Sequence, residues 1–160
     1  MDSHALSMEQ PVLWNIQDIS HRVWFLQDRA LTAVPRKTNV VPVTVTVITC
    51  QHPDTLEKGK GSPIYLGLKE PALCLFCTKI KEQPVLQLQE QDIMALYHRP
   101  EPVKPFLFFH NQSGRTSTFE SVDFPGWFIA VSSAGDGPVI ITQELGKTNT
   151  ADFVVTALCK

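Results

Sequence analysis

The apolar positions of this chain fall in short segments in which apolar and polar residues alternate. Strict alternation occurs in "VTVTV" at 43–47, "VLQLQ" at 85–89 and "STFESV" at 117–122, and it is typical of strands with one buried face. The pattern predicts strands at residues 22–27, 30–35, 42–49, 64–69, 72–79, 84–89, 106–111, 116–121, 127–132, 138–143 and 152–158. The single helical pattern is one or two turns long, from Asp92 to Tyr97. The sequence therefore predicts an all-β fold with fewer than about one residue in ten in helix.

A repeated arrangement of strands indicates how the sheet closes. Segments that begin at Ala30, Ala72 and Trp127 each contain an apolar strand, a polar loop and a Pro-Val pair that opens another strand. Three such units suit a closed barrel capped by three hairpins, a β-trefoil, which leaves no exposed sheet edge. We expect residues 16–160 to form this domain, with its first and last strands closing the barrel. Residues 1–15 are expected to be a flexible N-terminal segment.

Length and charge restrict the class of protein. A chain of 160 residues supports one domain with a sizeable core, and 14 basic against 16 acidic residues argue against a nucleic-acid or anionic-membrane partner. No apolar stretch approaches the roughly 18 residues of a membrane span, and the N-terminus lacks the pattern of a signal peptide. We therefore expect synthesis in the cytosol and reduced thiols at Cys50, Cys74, Cys77 and Cys159.

No group of residues indicates catalysis or metal binding. Cys74 and Cys77 have the spacing of a metal or redox motif, but in a strand they point to opposite faces, and no second Cys or His pair follows. His110 has no Ser or Cys to activate, and Glu120 and Asp123 lie at a strand end without a matching partner. We expect neither an enzyme nor a bound cofactor.

The segment "FESVDFPGWFIAVSS", from Phe119, contains a predicted corner between two strands. Pro125 fixes its own φ and Gly126 adopts backbone conformations that other residues resist, so the pair predicts a sharp turn. Trp127 would then begin the third hairpin and cover the end of the barrel, with stacking on a ligand as the alternative role for its ring.

The same segment resembles the signature of the interleukin-1 cytokine family. The matching positions are Phe119, Ser121, Pro125, Phe128 and Ile129, whereas Val131 stands where many members have Thr or Ser. The segments "HRVWFLQD", "PIYLGLKEPALCLFC" and "EPVKPFLFFH" are similar to the interleukin-36 subfamily. This resemblance spans about residues 16–158, nearly the whole chain.

The resemblance implies a secreted pro-inflammatory cytokine that is made in the cytoplasm without a leader and released by a non-standard route. Such a protein acts as a monomer: it binds the interleukin-36 receptor and recruits the interleukin-1 receptor accessory protein, which activates NF-kappa-B and MAP kinase signalling. A receptor antagonist of the same fold stays open as an alternative. A glycan-binding trefoil is less favoured, because the loops of the three units share no aromatic or amide position.

Recognition without a cleft can be performed by loops on a rigid barrel. The candidate contact loops are residues 52–62, Asn111–Arg115 and 145–151, with plain solvated loops as the alternative. The candidate receptor-binding residues within them are Lys58, Lys60, Asn111, Ser113, Gly114, Arg115, Lys147, Thr148 and Asn149.

The resemblance also implies activation by N-terminal trimming. In this subfamily the active N-terminus lies nine residues ahead of an aliphatic-x-Asp motif, which here is Ile16-Gln17-Asp18. Counting back from Ile16 places the cut between Leu6 and Ser7, so a processing protease with an apolar primary pocket is an expected partner. We expect the uncut tail to hinder receptor binding.

Overall fold

The computed structural model describes residues 10–158, in which strands dominate. The strands are β1 (Val12–Asp18), β2 (Arg22–Gln27), β3 (Ala30–Pro35), β4 (Val45–Thr49), β5 (Ser62–Leu68), β6 (Leu73–Ile80), β7 (Gln83–Glu90), β8 (Leu107–Ser113), β9 (Thr116–Ser121), β10 (Phe128–Ser132), β11 (Gly137–Pro138), β12 (Ile140–Thr142), β13 (Asn149–Thr150) and β14 (Phe153–Ala157). The helical segments are α1 (Ile93–Tyr97) and two single-turn 3-10 helices, Pro53–Thr55 and Lys104–Phe106. The prediction of an all-β fold with little helix is confirmed.

Six antiparallel strands form a closed barrel. β1 pairs with β4, β4 with β5, β5 with β8, β8 with β9, β9 with β14, and β14 returns to β1. The closing register places Ile16 opposite Val155. The first and last strands of the described chain therefore complete the ring, as the sequence predicts.

Three hairpins, β2–β3, β6–β7 and β10–β12, cap the barrel and complete a β-trefoil. Two of them turn through two residues with positive φ, Asp28-Arg29 at 52° and 64° and Lys81-Glu82 at 52° and 67°. Two central residues with positive φ are typical of a type I′ turn, whose backbone twist matches the twist of the two paired strands. The short strand β11 pairs with β3, which joins the third cap to the first.

The buried side chains form two clusters on opposite sides of the barrel wall. The cluster inside the barrel includes Trp24, Phe119 and Phe153, whereas the outer cluster lies between the wall and α1 and includes Tyr65 and Leu96. Consecutive residues of β8 enter both clusters. Both faces of this strand are therefore buried, which explains why "FLFF" in the sequence does not alternate.

The structure differs from the prediction at the start of the domain. β1 begins at Val12, so residues 12–15, expected to belong to a flexible segment, pair with β4 and β14. The strands that pair with β1 lie more than thirty residues away in sequence. Formation of β1 therefore depends on tertiary contacts, which a local sequence pattern does not predict. The domain of the described chain therefore starts before Ile16.

Two other predicted strands are shorter than expected. The strand predicted at 42–49 begins at Val45, although the N–H of Val43 still donates to the carbonyl of Trp24 at 2.9 Å. The strand predicted at 138–143 is interrupted at Val139, whose N–H donates to the carbonyl of Leu31 at 3.0 Å. In both places the backbone N–H donates to the β2–β3 hairpin, and the regular strand pairing is interrupted there. The remaining predicted strands agree with the observed ones to within two residues at each end.

Candidate functional site

The aromatic rings of Trp14 in β1 and His110 in β8 are packed together. Their ring centroids lie 5.1 Å apart, and the His110 ring stacks on Phe119 at 5.2 Å with an interplanar angle of 14°. Nε2 of His110 lies 2.8 Å from Oγ of Ser117. Burial lowers the pKa of His110, because a charged imidazolium is disfavoured away from water. His110 is therefore a neutral, aromatic packing residue at neutral pH.

Two clefts, of about 440 and 220 Å³, share Trp14 and His110 as lining residues. The larger cleft is also lined by Gln10, Val12, Ile48, Gln51 and Ser62, among others. The smaller cleft is also lined by Gln112, Arg115, Ser117, Val155 and Ala157. We call the residues around both clefts the Trp14–His110 surface. Because Gln10 is the first described residue, the N-terminal end of the described chain lies at this surface.

Two of the three predicted contact loops border the Trp14–His110 surface. The loop 52–62 ends where β5 begins, and Ser62 is opposite His110 in the β5–β8 pair. The hairpin Asn111–Arg115 joins β8 to β9 and turns at Gly114, whose φ is 63°. The predicted residues Asn111, Ser113, Gly114 and Arg115 are exposed, and Arg115 lines the smaller cleft. Folding thus brings together two loops that lie about fifty residues apart in sequence.

The third predicted loop, 145–151, is held against β10. Asn149 of β13 is opposite Ser132 of β10, and its side-chain amide donates to the carbonyl of Glu144 at 3.0 Å. The N–H of Ser133 donates to the carbonyl of Thr148 at 2.8 Å. Lys147 and Thr148 have exposed side chains, whereas that of Asn149 is half-buried. This loop belongs to the β10 side of the molecule.

Lys60, one of the predicted contact residues, has an internal partner. Its Nζ lies 2.9 Å from Oε2 of Glu120 and 3.7 Å from Oε1 of Glu57. The hydrogen bond to Glu120 raises the pKa of Lys60. Lys58, in the same loop, is exposed. The sequence offers no partner for Glu120, and it could not have done so, because Lys60 precedes Glu120 by 60 residues.

The predicted corner at Pro125 and Gly126 is present. The N–H of Trp127 donates to the carbonyl of Phe124 at 3.1 Å, and Gly126 has a φ of 89°. Pro followed by a residue with positive φ is typical of a type II turn. The N–H of Gly126 also donates to Oε2 of Glu120 at 2.7 Å. Trp127 is partly buried against the barrel cluster, in agreement with a covering role.

The Ile16-Gln17-Asp18 motif forms the C-terminal part of β1. Ile16 is buried in the inner cluster. The carboxylate of Asp18 accepts the N–H groups of Ser20 and Arg22 at 2.9 and 2.8 Å. The motif therefore has a structural role in β1 and the turn that follows it. The predicted cut between Leu6 and Ser7 lies outside the described residues.

The cysteines within residues 10–158 are free thiols. Cys74 belongs to the outer cluster and Cys77 to the inner one, so they face opposite sides of β6 as predicted. Burial raises the pKa of each of these two thiols to about 12. Cys159 lies outside the described residues.

The described residues contain neither a metal-binding group nor a membrane-spanning helix. Within residues 10–158, no three His, Cys, Asp or Glu side chains are grouped so that they could hold a metal ion. No helix in the same range is long and apolar enough to cross a bilayer. The Trp14–His110 surface is the candidate site because it combines two clefts with two of the predicted contact loops.

Comparison with known proteins decides the family. The family model for Interleukin-1 / 18 matches residues 38–155. The chain belongs to the interleukin-1 family. Within this family it is similar to human interleukin-36 alpha, with 63% identity over 96% of this chain and 98% of the relative. The solution NMR structure of "the pro-inflammatory cytokine interleukin-36alpha" superposes with a TM-score of 0.81, covering 94% of this chain and 96% of that chain.

Similarity to the interleukin-36 receptor antagonist protein is less extensive. The interleukin-36 receptor antagonist protein of the mouse is 42% identical over 82 residues, which cover 51% of this chain and 52% of the relative. The protein is therefore an interleukin-1 family cytokine of the interleukin-36 type, with the β-trefoil fold. The predictions of family, fold and a signalling protein rather than an enzyme are confirmed.

Proposed function

We propose that the protein is an agonist of the interleukin-36 type. It binds the interleukin-36 receptor outside the cell and recruits the interleukin-1 receptor accessory protein, which activates NF-kappa-B and MAP kinase signalling. One observation carries this proposal: the chain is 63% identical to human interleukin-36 alpha over 96% of its length, and the solved structure that it matches at the same identity is that of a pro-inflammatory cytokine, interleukin-36alpha. An antagonist with the same primary receptor is the second candidate.

The Trp14–His110 surface supports receptor binding at this end of the barrel. Its clefts of about 440 and 220 Å³ offer space for side chains of a partner, and Ser62, Gln112 and Arg115 of the two bordering loops line them. Lys58 and Arg115 supply positive charge, and Asn111, Ser113 and Gly114 supply polar backbone and side-chain groups. The loop 145–151, with Lys147 and Thr148, would form a separate contact beside β10.

The N-terminal segment would regulate this surface. Gln10, the first described residue, lines the larger cleft. A tail that begins at Met1 adds bulk where the receptor would approach, and cleavage between Leu6 and Ser7 removes most of it. The protein would act outside the cell as a monomer, since each of the six barrel strands is paired on both sides within the chain.

Chains that begin at Met1, Ser7 and Pro11 test the proposal in reporter cells that carry both receptor chains. We expect the Ser7 form to be the most potent. The Pro11 form should lose potency, because it lacks Gln10 at the cleft. Equal melting temperatures would show that trimming changes recognition and not stability.

The result also separates the candidate functions. A Ser7 form no more active than the Met1 form rejects activation by trimming. If every form is silent but blocks signalling by an established agonist, the protein is the antagonist and the proposed agonist function is wrong.

A further inference from the structure

One carboxylate oxygen of Glu120 joins two separate surface segments. Oε2 of Glu120 accepts Nζ of Lys60 at 2.9 Å and the N–H of Gly126 at 2.7 Å. Lys60 belongs to the loop 52–62, and Gly126 belongs to the corner 124–127. The loop and the corner are therefore tied to the same atom of β9.

The ion pair between Lys60 and Glu120 is partly shielded from water. The exposed fractions of the two side chains are 27% and 12%. By contrast, Arg29 and Glu90 lie 3.5 Å apart and are 64% and 78% exposed. Exposed pairs of the second kind contribute little, because water and salt screen them. In addition, Glu120 of this pair accepts the backbone N–H of Gly126, a bond that an isolated surface pair does not make.

The loop 52–62 is fixed on both sides of the ion pair. Leu56 is buried in the outer cluster. At the other end, Gly61 has a φ of 115°, and a Cβ at this position would overlap the carbonyl oxygen of His110. The backbone thus approaches β8 as closely as it can. Lys60 lies between these two fixed points, so its bond to Glu120 restrains the exposed part of the loop.

We propose that Lys60 and Glu120 are positioning residues that hold the loop 52–62 and the corner 124–127 in one arrangement for receptor binding. Lys60 acts through Glu120 and not as a receptor contact. Because the two segments are already ordered in the free protein, binding requires less ordering of side chains and loop. This inference rests on the proposed receptor-binding function and adds the residues that prepare the surface for it.

The first test uses the free protein. Lys60→Met and Glu120→Gln should both change the chemical shift of the Gly126 amide proton and speed hydrogen exchange in residues 57–61. The reason is that each substitution removes the ion pair between Lys60 and Glu120. Lys60→Arg keeps a cation at this position and should restore both signals. Lys58→Met, a matched change two residues away on the exposed side of the loop, should leave both unchanged. An unchanged Gly126 amide shift in Lys60→Met overturns the proposal.

The second test is a double-mutant cycle on affinity for the interleukin-36 receptor. Lys60→Met and Glu120→Gln should each weaken binding by about threefold to tenfold, the effect of losing the order of one or two side chains. The affinity of the double variant should equal that of the single variant that binds less tightly. Both substitutions remove the same ion pair, so their effects should not add. Additive losses identify Lys60 as a direct receptor contact and overturn the proposal, and so does wild-type affinity in Lys60→Met.

The two tests keep the proposals separate. A wild-type chain that fails to bind the receptor contradicts the proposed function. The Gly126 amide shift and the exchange rates, measured without receptor, decide whether the two residues order the loop and the corner. Melting curves of each variant confirm that the measurements are made on folded protein.

Discussion

Asp18 and Arg22 form a buried ion pair across the turn between β1 and β2, with Nε of Arg22 2.8 Å from Oδ2 of Asp18. The side chains are 1% and 8% exposed. The two terminal nitrogens of Arg22 donate to the carbonyl oxygens of Ser132, the last residue of β10, and of Gly135 in the loop that follows. The pair therefore connects the start of the barrel to the third cap.

Asp18→Asn should destabilise the protein by about 3–5 kcal/mol, because it leaves the buried guanidinium without its counter-charge. The free energy of unfolding in urea measures the effect. Asp28→Asn is the matched control, since Asp28 is exposed and its positive φ suits Asn; it should change the free energy of unfolding by less than about 0.5 kcal/mol. Equal losses in the two variants would contradict the structural role of Asp18.

Gly61→Ala should destabilise the protein more than Gly59→Ala. Both glycines have positive φ, 115° and 87°, so both substitutions introduce backbone strain of about 1–3 kcal/mol. Only at Gly61 does the added methyl group meet backbone atoms of His110, whereas nothing lies within 4 Å of it at Gly59. Thermal melting of both variants measures the difference, and Gly59→Ala serves as the control for strain alone. A Gly61→Ala melting temperature equal to that of Gly59→Ala would show that the loop does not lie this close to β8.

His110 should make the protein less stable in mild acid. Its pKa is lowered by burial, so the folded state binds this proton more weakly than the unfolded chain. The contribution of neutral His110 is complete above its ordinary value of 6.5 and is lost as pH falls from there through the folded pKa. The fall in melting temperature between about pH 7.5 and about pH 5 should be smaller in His110→Gln. The exposed His52→Gln is the control, and an unchanged pH dependence in His110→Gln would exclude His110 as the source.

Cys50, Cys74 and Cys77 should resist alkylation in the native protein. All three are buried, and the pKa values of about 12 at Cys74 and Cys77 keep these thiols protonated at neutral pH. We expect Cys159 to react first and the other three only in denaturant, as mass spectrometry after alkylation would show. A stoichiometric disulfide, or rapid native labelling of Cys74 or Cys77, would contradict this expectation.

The fold class could be predicted from the sequence, because the patterns that indicate it are local. Alternation of apolar and polar residues marks a strand with one buried face, and the hairpins at 22–35 and 73–90 carry this pattern together with short polar turns. The Pro125-Gly126 corner was also predictable, since the conformational limits of these two residues do not depend on distant partners. The interleukin-1 resemblance rested on that same local segment.

The contacts between loops and the pairing of charged residues depend on the tertiary structure and could not be predicted. β1 has no strong local pattern and becomes a strand because β4 and β14 supply its hydrogen bonds. Lys60 appears in the sequence as one of two lysines in a polar loop, and only the pairing of β5 with β8, and of β8 with β9, places it beside Glu120. Hydrogen bonds and ion pairs require their partners to lie within a few ångströms of each other. Closure of the barrel determines which groups come that close, whatever their separation in the sequence.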